Sequence, residues 1–176
     1  MNTPVIEALA KNHIKEDFDC GKPALTTYLR SIASQHQKKG LGRTYVAVEA
    51  GSSIVLGYYT LSAGKVSYAD WPDTKRAAPN MSVPTILLGR LAVDTRAKGQ
   101  KLGEYLLFHA MWTAERASQA IGAVAFEVDV LDEDALSFYQ RYSFQVLKDN
   151  PLHLYLPFDT IRGLNLDFND ADDLPS

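Results

Sequence analysis

The chain has 176 residues, which suits one domain, and 46% of them are apolar, enough to bury a core at this length. No run of about 18 apolar residues occurs, which argues against a membrane-spanning helix, and Met1-Asn2-Thr3-Pro4 lacks the basic and apolar regions of a signal peptide. Cys20 is the single cysteine, which excludes an intrachain disulfide framework and points to a cytoplasmic protein in which a small buried thiol is its expected role.

The net charge is −3. Residues 161–176 hold Arg162 against Asp167, Asp170, Asp172 and Asp173, which also comes to −3, so residues 1–160 are formally neutral. The expected organisation is one domain over 1–160 and an acidic tail over 161–176. Neutrality of the domain means that any nucleic-acid surface must come from how its charges are distributed.

Val5–Leu9 reads as a short strand. Phe18-Asp19-Cys20-Gly21-Lys22-Pro23 reads as a turn into a helix, since proline is well tolerated near a helix start. Leu25, Tyr28, Leu29 and Ile32 form its apolar stripe, and Gly40 and Gly42 mark its stop. Thr44–Glu49 and Ile54–Ala63 are strands joined by Ala50-Gly51-Ser52-Ser53. Residues 64–84, polar and with three prolines, read mainly as a loop. Thr85–Val93 is a continuous apolar strand of the kind buried on both faces. A helix over Leu102–Ser118 presents Leu106, Ala110, Met111 and Ala114 on one face. A strand over Ala123–Val130, a helix over Asp132–Tyr142 with Asp132 as N-cap, and strands at Phe144–Leu147 and Leu152–Leu156 complete the order. Helices following the fourth and fifth strands suit local parallel pairing.

The chemistry-bearing stretch is Lys98-Gly99-Gln100-Lys101-Leu102-Gly103, between an apolar strand and a helix start. Backbone N–H groups at a helix N-terminus attract an anion, and glycine lets a phosphate approach. On its own this is equally the chemistry of a plain turn. About 35 residues further on stands Ala135-Leu136-Ser137-Phe138-Tyr139-Gln140-Arg141-Tyr142-Ser143-Phe144. Together these motifs resemble the GNAT acetyltransferases, with their R/Q-x-x-G-x-G/A and A-x-x-F-Y-x-x-x-G-F segments. With Phe18-Asp19-Cys20-Gly21, Leu25, Leu29 and Leu88-Gly89-Arg90-Leu91-Ala92-Val93-Asp94, the chain resembles more narrowly the GNAT-type toxins of toxin–antitoxin pairs.

The resemblance implies an α/β GNAT fold, a mixed central β-sheet flanked by helices on both faces. It implies acetyl-CoA as the donor, with the diphosphate held by Lys98, Gly99, Gln100, Lys101, Leu102, Gly103 and Glu104. It places Leu91, Ala92 and Val93 at the strand edge that takes the pantetheine arm and polarises the acetyl carbonyl, with Ser137 as a further pantetheine contact. It makes Tyr139 the general acid beside the thioester sulfur, while Tyr142 is read as packing. Its toxins acetylate the α-amine of aminoacyl-tRNA, are commonly dimers, and are neutralised by a ribbon-helix-helix antitoxin. A small amine or a protein N-terminus is the alternative acceptor. Three positions depart from the family pattern: Lys98 stands where arginine or glutamine is usual, and Lys101 and Ser143 stand where glycine is usual.

No His–Asp or His–Glu pair is evident that could act as a base, although Glu127 and Asp129 are candidates. An α-amine, with a pKa near 8, needs little base catalysis. For tRNA, Lys22, Arg30, Lys38, Lys39 and Arg43 cluster around the first helix, with Lys75, Arg76, Arg90 and Arg96 elsewhere. Arg90 lies in an apolar strand, so a salt bridge competes with a substrate role. No metal site is expected.

Overall fold

β-branched and aromatic residues over 43–66 build the hairpin on which the fold is laid. In the computed structural model, residues 3–168 are described. The strands are β1 (Pro4–Ala8), β2 (Arg43–Glu49), β3 (Gly57–Val66), β4 (Val83–Val93), β5 (Ala125–Asp129), β6 (Gln145–Val146) and β7 (His153–Pro157). The helices are α1 (Pro23–Thr27), α2 (Ala33–Lys38), α3 (Leu102–Ile121), α4 (Glu133–Gln140) and α5 (Phe158–Gly163), with a π-helical turn at Tyr28–Ile32 linking α1 to α2. The strands hydrogen-bond in the order β1-β2-β3-β4-β5-β7-β6. Two compact units form; β3, β4 and α3 each contribute residues to both.

Among the described residues, the first unit comprises Thr3–Ser62, Arg90–Ala110 and Asp167–Phe168. β1 pairs with β2, and β2 with β3, both antiparallel. Successive residues of a strand point to opposite faces. From β3, a Cβ added at Gly57 would meet Leu106 at 2.7 Å and Leu102 at 3.3 Å, so α3 lies close on that face. Tyr59, two residues on, bonds His109 of α3 through its hydroxyl at 2.7 Å. The other face belongs to the N-terminal segment, where the Tyr58 hydroxyl donates to the Leu25 carbonyl at 2.7 Å. Phe18, Tyr28, Leu29 and Tyr58 are buried there in one cluster. Leu25 and Ile32, from the expected stripe, are only partly buried; the π turn rotates the stripe as it passes.

The second unit comprises Ala63–Gly89 and Met111–Leu166. β4 and β5 pair in parallel, as expected of strands joined by a helix. β6 and β7 form the expected final strand pair, antiparallel, and β7 also inserts antiparallel beside β5. Residues 64–84 are also more ordered than a loop. β3 runs to Val66, β4 begins at Val83, and short 3-10 turns stand at Tyr68–Asp70 and Thr74–Arg76. Trp71 anchors the connection: it is buried against Tyr155 at 4.8 Å between ring centroids, in a cluster with Val66, Val83 and Leu147. β4 is not buried on both faces, because Leu87 and Gly89 are half-exposed while Ile86 and Leu88 are buried. The Asp132 N-cap forms as expected, its carboxylate accepting from the Ala135 N–H at 3.0 Å. α5 crosses the expected boundary at 160 and buries Phe158 and Ile161. Residues 169–176 of the expected acidic tail lie outside the described residues.

Gly64 shows the closest strand packing. A Cβ there would lie 2.6 Å from the Thr85 hydroxyl and 3.0 Å from a Glu127 carboxylate oxygen. Gly64→Ala is therefore expected to destabilise the protein by about 1–3 kcal/mol, read as a lower urea midpoint at unchanged slope.

Candidate active site

In the first unit, β4 is followed directly by Asp94, whose side chain is 1% exposed. Its carboxylate accepts from Arg96 Nε, Arg96 Nη2 and the Arg96 N–H, each at 2.8 Å, and from the Asp19 N–H at 3.1 Å. The Thr95 N–H donates back to the Asp19 carbonyl at 2.8 Å. Burial alone would raise the Asp94 pKa, but these hydrogen bonds and the Arg96 charge outweigh it and hold it below the usual carboxylate range. Asp94 thus fastens the Phe18–Gly21 segment to the turn that begins α3. Cys20, within that segment, is buried beside the Thr26 hydroxyl, as expected.

The turn itself runs through Gly99 at φ +78° and Lys101 at φ +60°. The Lys101 carbonyl accepts the Tyr105 N–H at 3.1 Å, so Lys101 occupies the helix N-cap. Its side chain has no acceptor with which to cap the helix, which leaves the N–H groups of Leu102, Gly103 and Glu104 without intrahelical partners. A Cβ at Gly99 would meet nothing within 4 Å, so this side of the turn is open. These features fit an anion such as a diphosphate. Lys98 is exposed, and its Nζ lies 3.5 Å from where a Cβ on Gly21 would stand. Leu91, Ala92 and Val93 lie past the last β4–β5 pairing, which ends at Leu88 with Val128. Ala92 is buried, while Leu91 and Val93 are half-exposed.

In the second unit, Tyr139 of α4 is 6% exposed and packs edge-on to Phe138 and Phe144 at 5.1 and 5.5 Å. Burial raises the pKa of its phenol well above the ordinary value, so it carries its proton at neutral pH. Its hydroxyl has no hydrogen-bond partner among the described residues. A buried hydroxyl left open in this way fits a ligand atom that is to be bonded. Ser137 is exposed on the same helix. Ser143 adopts φ +70°, so the expected glycine was a backbone requirement and the serine is a strained replacement.

No histidine–carboxylate pair is evident in the sequence, yet the structure holds two: His13 Nε2 bonds Glu7 at 2.7 Å, and His153 lies between two carboxylates. His153 Nε2 bonds Glu127 at 3.0 Å, its Nδ1 bonds Asp149 at 2.9 Å, and the other Glu127 oxygen accepts from Thr85 at 3.0 Å. Burial would lower the His153 pKa; the bonds to Glu127 and Asp149 outweigh it and raise it. Both ring nitrogens are engaged, so the cluster braces β5, β7 and the β6–β7 connection. Asp129 is exposed. Only the spacing of Asp149 and His153, four residues apart, hinted at this in the sequence.

The basic residues divide. Arg76 is closed by Asp73 and Asp159, and Arg96 by Asp94, so neither offers a free cation as first expected. Arg30, Lys38, Lys39 and Arg43 are exposed and Lys22 is half-buried, all in the first unit. Arg90 makes no salt bridge among the described residues and lies over Tyr28, 3.6 Å from the ring centroid. No cluster of metal-ligating side chains occurs among the described residues.

No family model matches the chain. A tRNA-acetylating toxin of Mycobacterium tuberculosis is 37% identical over 147 residues, 84% of this chain and 87% of the relative. Among solved structures, a tyrosine-to-phenylalanine variant of KacT gives a TM-score of 0.85 at 32% identity, covering 92% of this chain and 98% of that one. AtaT complexed with acetyl-methionyl-tRNAfMet gives a TM-score of 0.85 at 30% identity, over 93% of this chain and 100% of that one. AtaT has also been solved with the C-terminus of the antitoxin AtaR and acetyl-CoA. The chain belongs to the GNAT N-acetyltransferases and, within them, to the family of tRNA-acetylating toxins of toxin–antitoxin systems.

Two outcomes test this geometry. Lys101→Gly relieves a left-handed side-chain clash and is expected to stabilise the fold by about 0.5–1 kcal/mol, read from the urea midpoint. Asp94→Asn removes the charged acceptor and is expected to cost about 2–3 kcal/mol at neutral pH. Because the folded pKa is depressed, the Asp94 contribution is complete above its unfolded value near pH 4 and is lost as pH falls through the folded value. Stability measured from pH 5 downward should therefore fall less steeply in the asparagine variant than in the wild type.

Proposed function

We propose that this protein is an acetyl-CoA-dependent N-acetyltransferase that acetylates the α-amine of aminoacyl-tRNA and thereby blocks translation. The 37% identity to a tRNA-acetylating toxin carries this reading. The open helix N-terminus and the unpartnered Tyr139 hydroxyl support it. Acetyl-CoA, when bound, supplies the acetyl thioester. Leu102, Gly103 and Glu104 bind the diphosphate through backbone N–H groups, with Lys98, Gly99, Gln100 and Lys101 shaping the turn around it. The backbone of Leu91, Ala92 and Val93 orients the pantetheine arm and polarises the acetyl carbonyl, and Ser137 adds a side-chain contact. Tyr139 holds a proton on its hydroxyl for the departing sulfur. Lys22, Arg30, Lys38, Lys39, Arg43 and Arg90 hold tRNA phosphates.

An α-amine esterified through its carboxyl group is substantially neutral at pH 7, so this acceptor needs little base catalysis. The same function implies a cytoplasmic location, where charged tRNA is found. No helix among the described residues is long and apolar enough to cross a membrane. A ribbon-helix-helix antitoxin is the proposed regulatory partner, which the AtaT–AtaR complex supports, and a homodimer is the proposed assembly.

Incubation with labelled acetyl-CoA and charged tRNA should leave label on the amino acid; label appearing only on polyamines or peptides would sink the reading. Tyr139→Phe removes one unpartnered hydroxyl, so the fold should keep or gain stability while acetyl transfer falls on the order of 100-fold. Thermal melts and initial rates measured on the same preparations check both expectations.

A further inference from the structure

The start of α3 is held from two sides. On one, Leu102 and Leu106 press toward β3, so closely that a Cβ on Gly57 would lie 3.3 and 2.7 Å from them. On the other, Tyr105 and His109 stand one helical turn apart. Phe168 lies edge-on to both, its ring centroid 5.6 Å from that of Tyr105 and 5.0 Å from that of His109. His109 is buried and fixed to β3 by the Tyr59 hydroxyl at 2.7 Å. Phe168 follows α5 in sequence, yet it belongs to the first unit, which carries the turn into α3. Helix ends fray unless tertiary contacts hold them. Tyr105 is half-exposed, and its N–H makes the first hydrogen bond of α3, to the Lys101 carbonyl at 3.1 Å. The Phe168 ring therefore covers the residue that fixes the direction of the open N–H groups of Leu102, Gly103 and Glu104. A cavity of about 250 Å³ adjoins it, lined by Thr3–Ile6, Tyr105, His109 and Phe168, so a larger ring has room there.

Resting on the proposed binding of acetyl-CoA at this turn, we infer that Phe168 is a positioning residue for the coenzyme. Packed on Tyr105 and His109, it holds the first turn of α3 so that the open N–H groups converge on the diphosphate. A residue near the end of the chain thus sets coenzyme affinity, acting through Tyr105.

Calorimetric titration with coenzyme A, initial rates and amide hydrogen exchange test this. Phe168→Ala should weaken coenzyme A binding and raise KM for acetyl-CoA, each about tenfold, with kcat at saturation kept within about twofold. The same variant should speed exchange of the Tyr105 N–H. Phe168→Trp keeps a ring on Tyr105, extends into the cavity, and should restore affinity and exchange to wild-type values. Gly64→Ala destabilises the second unit and should leave coenzyme affinity unchanged. Unchanged affinity in Phe168→Ala overturns the inference. So does an equal loss of affinity in Gly64→Ala, which would make the effect one of stability alone, and so does a loss of kcat at unchanged KM. A wild-type protein that binds no coenzyme A overturns the cofactor reading and this inference with it, an outcome distinct from wild-type and alanine proteins that bind equally well.

Discussion

The buried carboxylate of Asp94 is the point on which the arrangement of the turn leading into α3 depends. Burying a charge is costly unless it is paired and hydrogen-bonded. Here four donors converge on it, three from Arg96 and one from the Asp19 backbone. The result joins segments 75 residues apart in sequence. The Phe18–Gly21 loop is tied to the end of β4, and the turn leading into α3 starts from a fixed place. A helix N-terminus binds an anion only as well as its position is defined, so the Asp94–Arg96 ion pair sets the geometry of the open turn.

Local rules are broken where the chemistry is proposed. Lys101 and Ser143 hold left-handed backbone that glycine would adopt without strain. Tyr139 buries a hydroxyl with no partner among the described residues. Each costs stability, and surrounding packing makes up for it: Leu102 and Leu106 sit tight against Gly57, and Phe144 packs on Tyr139. Such departures are expected at functional positions, where the backbone and polar groups are kept ready for a ligand instead of being satisfied internally.

The fate of the arginines shows why charge read along a chain is a weak guide to a nucleic-acid surface. Arg76 and Arg96 are equal to Arg90 in the sequence, yet both are consumed by aspartates. Arg90, set in an apolar strand where a salt bridge was a natural expectation, instead rests on an aromatic ring. Cation–π contact stabilises a guanidinium without neutralising it. The same holds for His153: with both nitrogens bonded to carboxylates it stiffens the sheet, although a histidine between two acids would suggest a base.

Much was legible in the chain. Runs of β-branched, aromatic and apolar residues located most strands, the helical stripe located the long helix, and Asp132 announced its own cap, because each depends on neighbours within a few residues. Tyr139 was singled out only by resemblance, since nothing local separates it from eight other tyrosines. What lay beyond the sequence depends on contacts between distant segments. The insertion of β7 beside β5, the anchoring of residues 64–84 by Trp71, the Glu127–His153 brace and the pairing of Arg90 with Tyr28 were decided by tertiary structure. Strand order and side-chain partners across a sheet are set by which faces must be buried together, and that is a property of the folded whole. The sequence by itself determined the elements and the chemistry available; the tertiary structure decided which charges stayed open.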